Sequence, residues 1–163
     1  MPNIKVAVDL HEKFIKGTQK KMIVPSRRSL ICLFTKEVTK AIGCKEEFGR
    51  VFITTRCLKH LYDKKPAVEY DSIIQSLDVV ASRPDEIYRN LGEKRGSFVF
   101  RKKIRNIEFL ASIEEVTREE HCEYEIATCF WFRSQNYLNN YSTLWSWGDG
   151  GISHRSALDA NKS

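Results

Sequence analysis

The chain has 163 residues, 42% of them hydrophobic and 29% charged, which suits one globular domain with a core that needs no disulfide or metal staple. Its formal charge is +6 and its pI is near 9.1. The excess is uneven: residues 1–104 carry 22 Lys/Arg against 12 Asp/Glu, and residues 105–163 carry 5 against 9. A basic portion of that size points to a polyanionic partner, while the lack of a signal-peptide core or a membrane-length apolar run points away from a membrane and toward the cytoplasm.

In chain order, Ile4–Leu10 alternates well enough for a short strand, and His11–Lys21 is ambiguous. The apolar patch from Met22 to Leu33 is cut by Pro25 and by Arg27 and Arg28, so its structure stays open. Thr35–Ile42 reads as a short helix stopped by Gly43, because Val38, Ala41 and Ile42 repeat at helical spacing and glycine is the usual C-terminal stop. Val51–Thr54 is a β-branched and aromatic run, read as a buried strand that hands over to a helix capped by Thr54 or Thr55. On that helix Leu58, Leu61 and Tyr62 form the apolar stripe. His60 falls on the opposite, polar side, with Arg56 and Lys64 one turn away in each direction. Tyr70, Ile73, Ile74, Leu77, Val80 and Ala81 predict a second helix from Asp71 to the stop at Pro84.

Beyond Pro84 the periodicity changes to two. Asp85–Asn90 reads as a short strand. Ser97–Lys103 alternates with Phe98, Phe100 and Lys102 on one face, and the segments Ile107–Ile113 and Tyr124–Phe132 continue the pattern across tight connections. Helices followed by a meander give an α+β plan, with helices packed on a twisted antiparallel sheet. From Ser134 onward Tyr137, Leu138, Tyr141 and Leu144 fit a helical face, until Gly148–Gly151 breaks it. We divide the chain into a basic N-terminal extension packed on the core (1–48), a main domain (49–152) and a flexible tail (153–163).

The five cysteines, at 32, 44, 57, 122 and 129, form no CxxC pair, and Cys57 and Cys129 lie in apolar patterns. That usage fits reduced thiols in the cytoplasm. His121 beside Cys122 has no partner at zinc-ligand spacing, so neither a metal nor any other cofactor is expected.

Read in order, Val51–Thr54, Leu58-Lys-His60, Arg83-Pro-Asp-Glu-Ile-Tyr-Arg-Asn90, Phe98-Val-Phe-Arg-Lys102 and Ile126-Ala-Thr128 resemble a phage-associated ribonuclease-like family. That family is named for its barnase, EndoU, colicin and RelE relatives (BECR), and the resemblance covers roughly residues 50–135. It implies helices packed on a twisted antiparallel sheet, with RNA against the sheet. It also implies cleavage without a metal, in which the ribose 2′-hydroxyl attacks phosphorus and leaves a 2′,3′-cyclic phosphate. Carried over by position, the helix histidine of the family falls on His60, its strand-borne basic residue on Arg101 or Lys102, and its late-strand hydroxyl on Thr128. Relatives often show a second histidine a few residues after the first, where this chain has Lys64, Lys65 and Pro66.

Internal transfer at phosphorus needs a base for the 2′-proton, an acid for the 5′-oxygen and fixed positive charge for the transition state. The resulting catalytic candidates are His60, Lys102 and Thr128. Arg56, Lys59, Lys64, Arg101, Lys103, Arg133, Ser134 and Tyr137 are the candidates for holding RNA. Each has a plainer alternative: a solvated helix histidine, a charged strand that discourages sheet aggregation, a core threonine, or an ordinary strand connection. Two readings of function follow, a toxin-like endoribonuclease and a non-catalytic nucleic-acid-binding or regulatory protein on the same fold. For the first, an acidic immunity or antitoxin protein is the partner whose charge complements the basic half.

Overall fold

A computed structural model describes residues 5–90, 98–116, 121–133 and 141–146. The elements run α1 (Val6–Leu10, continued by a π turn at His11–Ile15), β1 (Arg28–Leu33), α2 (Lys36–Ala41), β2 (Arg50–Thr54), α3 (Thr55–Lys64) and α4 (Ala67–Ser82), then β3 (Glu86–Asn90), β4 (Phe98–Ile104), β5 (Ile107–Glu115), β6 (Glu123–Trp131) and β7 (Tyr141–Ser146). The strands form one seven-stranded sheet in the order β1-β2-β6-β5-β4-β3-β7. The fold is therefore α+β, but the sheet is mixed: β2 and β6 run parallel, and the other neighbours run antiparallel. The expected wholly antiparallel sheet is corrected at that one pair. No helix among the described residues is long and apolar enough to cross a membrane.

Local chemistry explains most boundaries. Thr35 caps α2 by accepting the Val38 N–H at 3.2 Å, and Gly43, at φ +79°, provides the left-handed exit. Thr54 caps α3 in the same way, taking the Cys57 N–H at 3.1 Å. Gly49 is required by packing: a Cβ there would lie 2.8 Å from the Phe34 ring and 2.9 Å from the Tyr124 ring.

The core lies between the helices and one sheet face. Leu58 and Leu61 of α3 and Ile73, Ile74, Leu77, Val80 and Ala81 of α4 meet Val51, Ile53, Phe98, Phe100, Phe109, Ala111, Ile113, Tyr124, Ile126 and Cys129 there. The opposite face carries a smaller cluster of Tyr88, Val99 and Leu110, packed by Phe130 and Phe132. Residues 5–48 are part of this body. β1 is an edge strand of the same sheet, and Ala7, Leu10, Ile15, Phe34 and Val38 are buried in the main core.

Two elements differ from the periodic reading. The alternating N-terminal segment folds as helix α1, with Ala7 and Leu10 one turn apart in the core and Val6 and Val8 packed against its margin. Packing against α4 and β1 overrides its strand pattern. Tyr141–Ser146, expected on a helical face, is instead a strand, because the outer edge of β3 offers an unpaired ladder that pairs Tyr88 with Thr143 and Glu86 with Ser146. Tyr137 and Leu138 lie outside the described residues.

Candidate functional site

The parallel pair creates the site. β2 pairs with β6 only as far as Phe52 opposite Glu125; Ile53 and Thr54 pair with β1 alone, and the chain then leaves the sheet as α3 while β6 continues. In the fork between them lies a cleft of about 770 Å³. Its walls bring together Arg56 and His60 of α3, Ser26–Arg28 before and at the start of β1, Ser112 and Glu114 of β5, and Glu125 and Thr128 of β6. His60, Arg56 and Thr128, separately singled out in the sequence, thus share one cavity.

Each wall has a local cause. The Thr55 hydroxyl donates to the Pro25 carbonyl at 2.7 Å and accepts the Arg27 N–H at 3.0 Å. The Thr55 N–H in turn donates to the Arg27 carbonyl at 3.0 Å. These bonds hold Ser26–Arg28 beside the first turn of α3. Cys57, buried beneath that turn, donates its S–H to the Ala127 carbonyl at 3.6 Å. Opposite, the β5–β6 register shifts so that Ser112 pairs with Thr128 and Ile113 with Ile126, which leaves Ala127 as an extra residue. The bulge turns Thr128 away from the helix-side core, which Ile126 and Cys129 enter on either side of it. The expectation that Thr128 shares a face with Ile126 is corrected by that one inserted residue.

The charges in the cleft differ in their commitments. Arg28 stacks its guanidinium 3.6 Å from the Phe52 ring centroid and donates to Glu125 at 2.8 Å and Glu123 at 2.9 Å. Burial disfavours its charged form, but the two carboxylates more than offset this and hold its pKa above the ordinary arginine value. Arg27 lies 5.0 Å from the Phe14 ring centroid and donates to the Ser26 carbonyl at 2.9 Å, with no ion pair to another described residue. Arg56 and His60 are exposed and have no hydrogen-bond or ion-pair partner among the described residues. Among the described residues the cavity therefore brings together one histidine, the guanidiniums of Arg27 and Arg56 that lack an ion pair, the hydroxyl side chains of Ser112 and Thr128 on facing strands, and the carboxylates of Glu114 and Glu125.

The other predicted residues lie elsewhere. Lys102, expected as catalytic, is two strands from β6 in the sheet order, with its ammonium 3.1 Å from Asp85. It stands at the rim of the helix-side face, as its alternation with Phe98 and Phe100 requires, and not in the cleft. Asp85 also takes the Lys103 N–H at 2.8 Å. Arg101 donates to Glu108 at 2.7 Å, lies 3.4 Å from Glu86 and covers the Phe132 ring at 4.7 Å. Lys59, expected to face RNA, is 7% exposed. Its ammonium is used up by Asp63 at 2.7 Å, the Thr18 hydroxyl at 3.0 Å and the Gln19 carbonyl at 2.6 Å, so it clamps residues 18–19 onto α3. Arg133 donates to Glu69, a carboxylate 1% exposed that also takes the Trp131 N–H at 2.9 Å. Lys64 is exposed on α3, and Ser134 and Tyr137 lie outside the described residues.

Ser26, Arg27, Arg28, Ser112, Glu114 and Glu125 were not among the sequence candidates. Only Arg27 and Arg28 left a signal, as two cations interrupting an apolar patch. Among the described residues no three His, Cys, Asp or Glu side chains are grouped to hold a metal ion. No family model, no curated protein and no solved structure matches the chain.

Proposed function

We propose that this protein is a toxin-like endoribonuclease that cuts RNA by attack of the ribose 2′-hydroxyl on the adjacent phosphorus, leaving a 2′,3′-cyclic phosphate. The observation that carries this reading is the convergence of His60, Arg27, Arg56 and the Thr128 hydroxyl on one cleft at the end of the parallel strand pair. Histidine is the side chain whose ordinary pKa best suits proton transfer near neutrality. The guanidiniums of Arg27 and Arg56, neither in an ion pair with a described residue, are fork-shaped donors matched to a phosphate and to the charge that grows on it as the new P–O bond forms. Thr128 and Ser112 add hydroxyl groups from facing strands, and Glu114 is a second group in the cleft able to carry a proton. In this scheme the 2′-proton leaves as the P–O2′ bond forms, and a proton is delivered to the departing 5′-oxygen as its bond to phosphorus breaks. An acidic immunity or antitoxin protein covering this basic mouth is the partner class that fits the reading.

Purified protein incubated with labelled RNA in excess EDTA, beside His60→Ala, tests the proposal through the chemistry of the product ends. Cyclic phosphate ends from the wild type and none from His60→Ala are expected. Intact RNA with both proteins, together with equal RNA binding by both, would establish the second reading, a nucleic-acid-binding module. That reading is favoured by one feature: among the described residues His60 is the single histidine lining the cleft.

A further inference from the structure

At the other end of the parallel pair lies a second cluster, built from sulfur. Cys44 sits in the connection between α2 and β2, and Cys122 stands immediately before β6. They are 78 positions apart in sequence, yet the fold makes them neighbours: the Cys122 N–H binds the carboxylate of Glu46, two residues beyond Cys44, Cys44 packs against the core cluster that holds Cys122, and both thiols are free. Their backbones are held from both sides. The Cys44 N–H donates to the Thr39 carbonyl at 3.1 Å, the Cys122 N–H to Glu46 Oε1 at 2.7 Å, and the Arg50 N–H to the Cys122 carbonyl at 3.3 Å. Around them stand His121, 3.3 Å from Glu46, and Tyr124, buried in the core cluster against which Cys44 packs.

The two sulfurs are unequal. Burial pushes the Cys122 thiol up, but hydrogen bonds from Cys44 and from the backbone N–H groups of Glu46 and Lys45 outweigh it and bring the thiol below its ordinary value. Burial and the bond to Cys122 push Cys44 the other way. The remaining cysteines contrast with this pair: burial drives Cys32 up to about 12 and Cys129 upward too, as expected of inert core thiols. Cys122 is thus disposed to be the attacking sulfur, and half-buried Cys44 the one that resolves it.

We propose that Cys44 and Cys122 form a redox modification site that a hydroperoxide closes to a disulfide. The Cys122 thiolate attacks the peroxide O–O bond, taking one oxygen as a sulfenic acid while the other leaves as water. Cys44 then attacks that sulfur, forming the S–S bond and releasing the sulfenic oxygen as a second water. Two thiols are oxidised and one peroxide is reduced. The bond ties the α2–β2 connection to the start of β6 and closes a loop of nearly eighty residues. Closing it removes conformational freedom from the unfolded chain and so favours the folded one. The proposal is independent of the ribonuclease reading, since the His60 cleft lies at the far end of these strands.

The full-length protein, treated with hydrogen peroxide in small excess, alkylated and digested, should yield a peptide linking Cys44 to Cys122. Free thiols should fall from the five of the reduced chain by two, and the melting temperature should rise, both reversing with dithiothreitol. Cys44→Ser should instead leave a Cys122 sulfenic acid that dimedone traps, and Cys32→Ser should still form the link. A bridge between any other pair, an unchanged thiol number, or Cys122 accumulating as sulfinic acid beside an alkylatable Cys44 would overturn the proposal. Mapping the wild type needs no variant to fold and decides the matter by itself.

Discussion

The cleft beside α3 and the basic run at 101–103 look alike in the sequence, since each sets two or three cations near a strand or helix that carries aromatic residues. In the folded chain they are opposites. The β4 cations are neutralised where they stand, because strand register places Glu108 and Glu86 beside Arg101, and the end of α4 delivers Asp85 to Lys102 and the Lys103 backbone. In the cleft only Arg28 is engaged in this way, and its pairing with Glu123 and Glu125 leaves Arg27 and Arg56 without carboxylates among the described residues. Whether a cation can meet a phosphate depends on which carboxylate the topology brings opposite it. That differs between two regions that look alike in the sequence.

The largest expected difference between the two regions is in turnover. His60→Ala should lower the rate of RNA cleavage by about 10²- to 10⁴-fold, the usual worth of a positioned proton-transfer group. Lys102→Ala, removing a cation already held by Asp85, should leave the rate within a factor of a few. Single-turnover assays on one labelled RNA read both. A large loss from Lys102→Ala with His60→Ala intact would reverse the assignment of the two regions.

Lys59 tests the same contrast through stability. It lies one residue from His60, but its ammonium is buried on Asp63, Thr18 and Gln19. Lys59→Ala leaves the Asp63 carboxylate and the Gln19 carbonyl without their donor, at a cost on the order of 3 kcal/mol. Chemical denaturation should show that loss, whereas Arg56→Ala, one turn away and exposed, should stay within about 0.5 kcal/mol of the wild type.

Much of the fold was legible because it rests on local chemistry: a threonine cap at the start of α3, the stop at Gly43, the 3.6-residue stripe of α4 and the two-residue alternation of β4 and β5. Residue 60 was placed on the polar side of its helix by the same arithmetic. What was not legible depends on contacts between distant segments. The parallel pairing of β2 with β6 cannot be seen in either strand, yet it opens the cleft. The bulge at Ala127 reorients Thr128 without any glycine to announce it. Lys59 and Arg133 read as surface cations because residues 18–19 and Glu69, which neutralise them, stand 41 and 64 positions away.

Glu69 gives the pH dependence of the neutralised class. Burial raises its pKa, but the Arg133 guanidinium and the Trp131 N–H outweigh burial and hold the carboxyl below the ordinary glutamate value. With the folded value below the unfolded one, its contribution is fully present above the unfolded value of about 4.3 and is lost as pH falls through the folded value. Glu69→Gln should therefore cost about 1.5–3 kcal/mol at neutral pH, the worth of hydrogen bonds to a charged group. Melting curves of variant and wild type should converge in acid. A constant gap between them from neutral pH down to about pH 3 would mean that the carboxylate charge contributes nothing.

The smallest effect is the most direct test of the comparison. If Arg56 meets a phosphate in the cleft, its removal releases one fewer counterion on binding. The slope of log affinity against log salt for single-stranded RNA should then become shallower by about 0.7. Affinity should fall by a similar factor for unrelated RNA sequences, since a phosphate contact reads no base. Arg101→Ala should leave the slope unchanged, because its guanidinium is already balanced by Glu108 and Glu86. Titrations of His60→Ala backgrounds, in which RNA survives the measurement, compare the two arginines on equal terms. Equal slope changes for both would mean that RNA displaces the Glu108 and Glu86 pairs and that the two basic regions act as one surface. A change confined to Arg56 places the phosphate in the cleft.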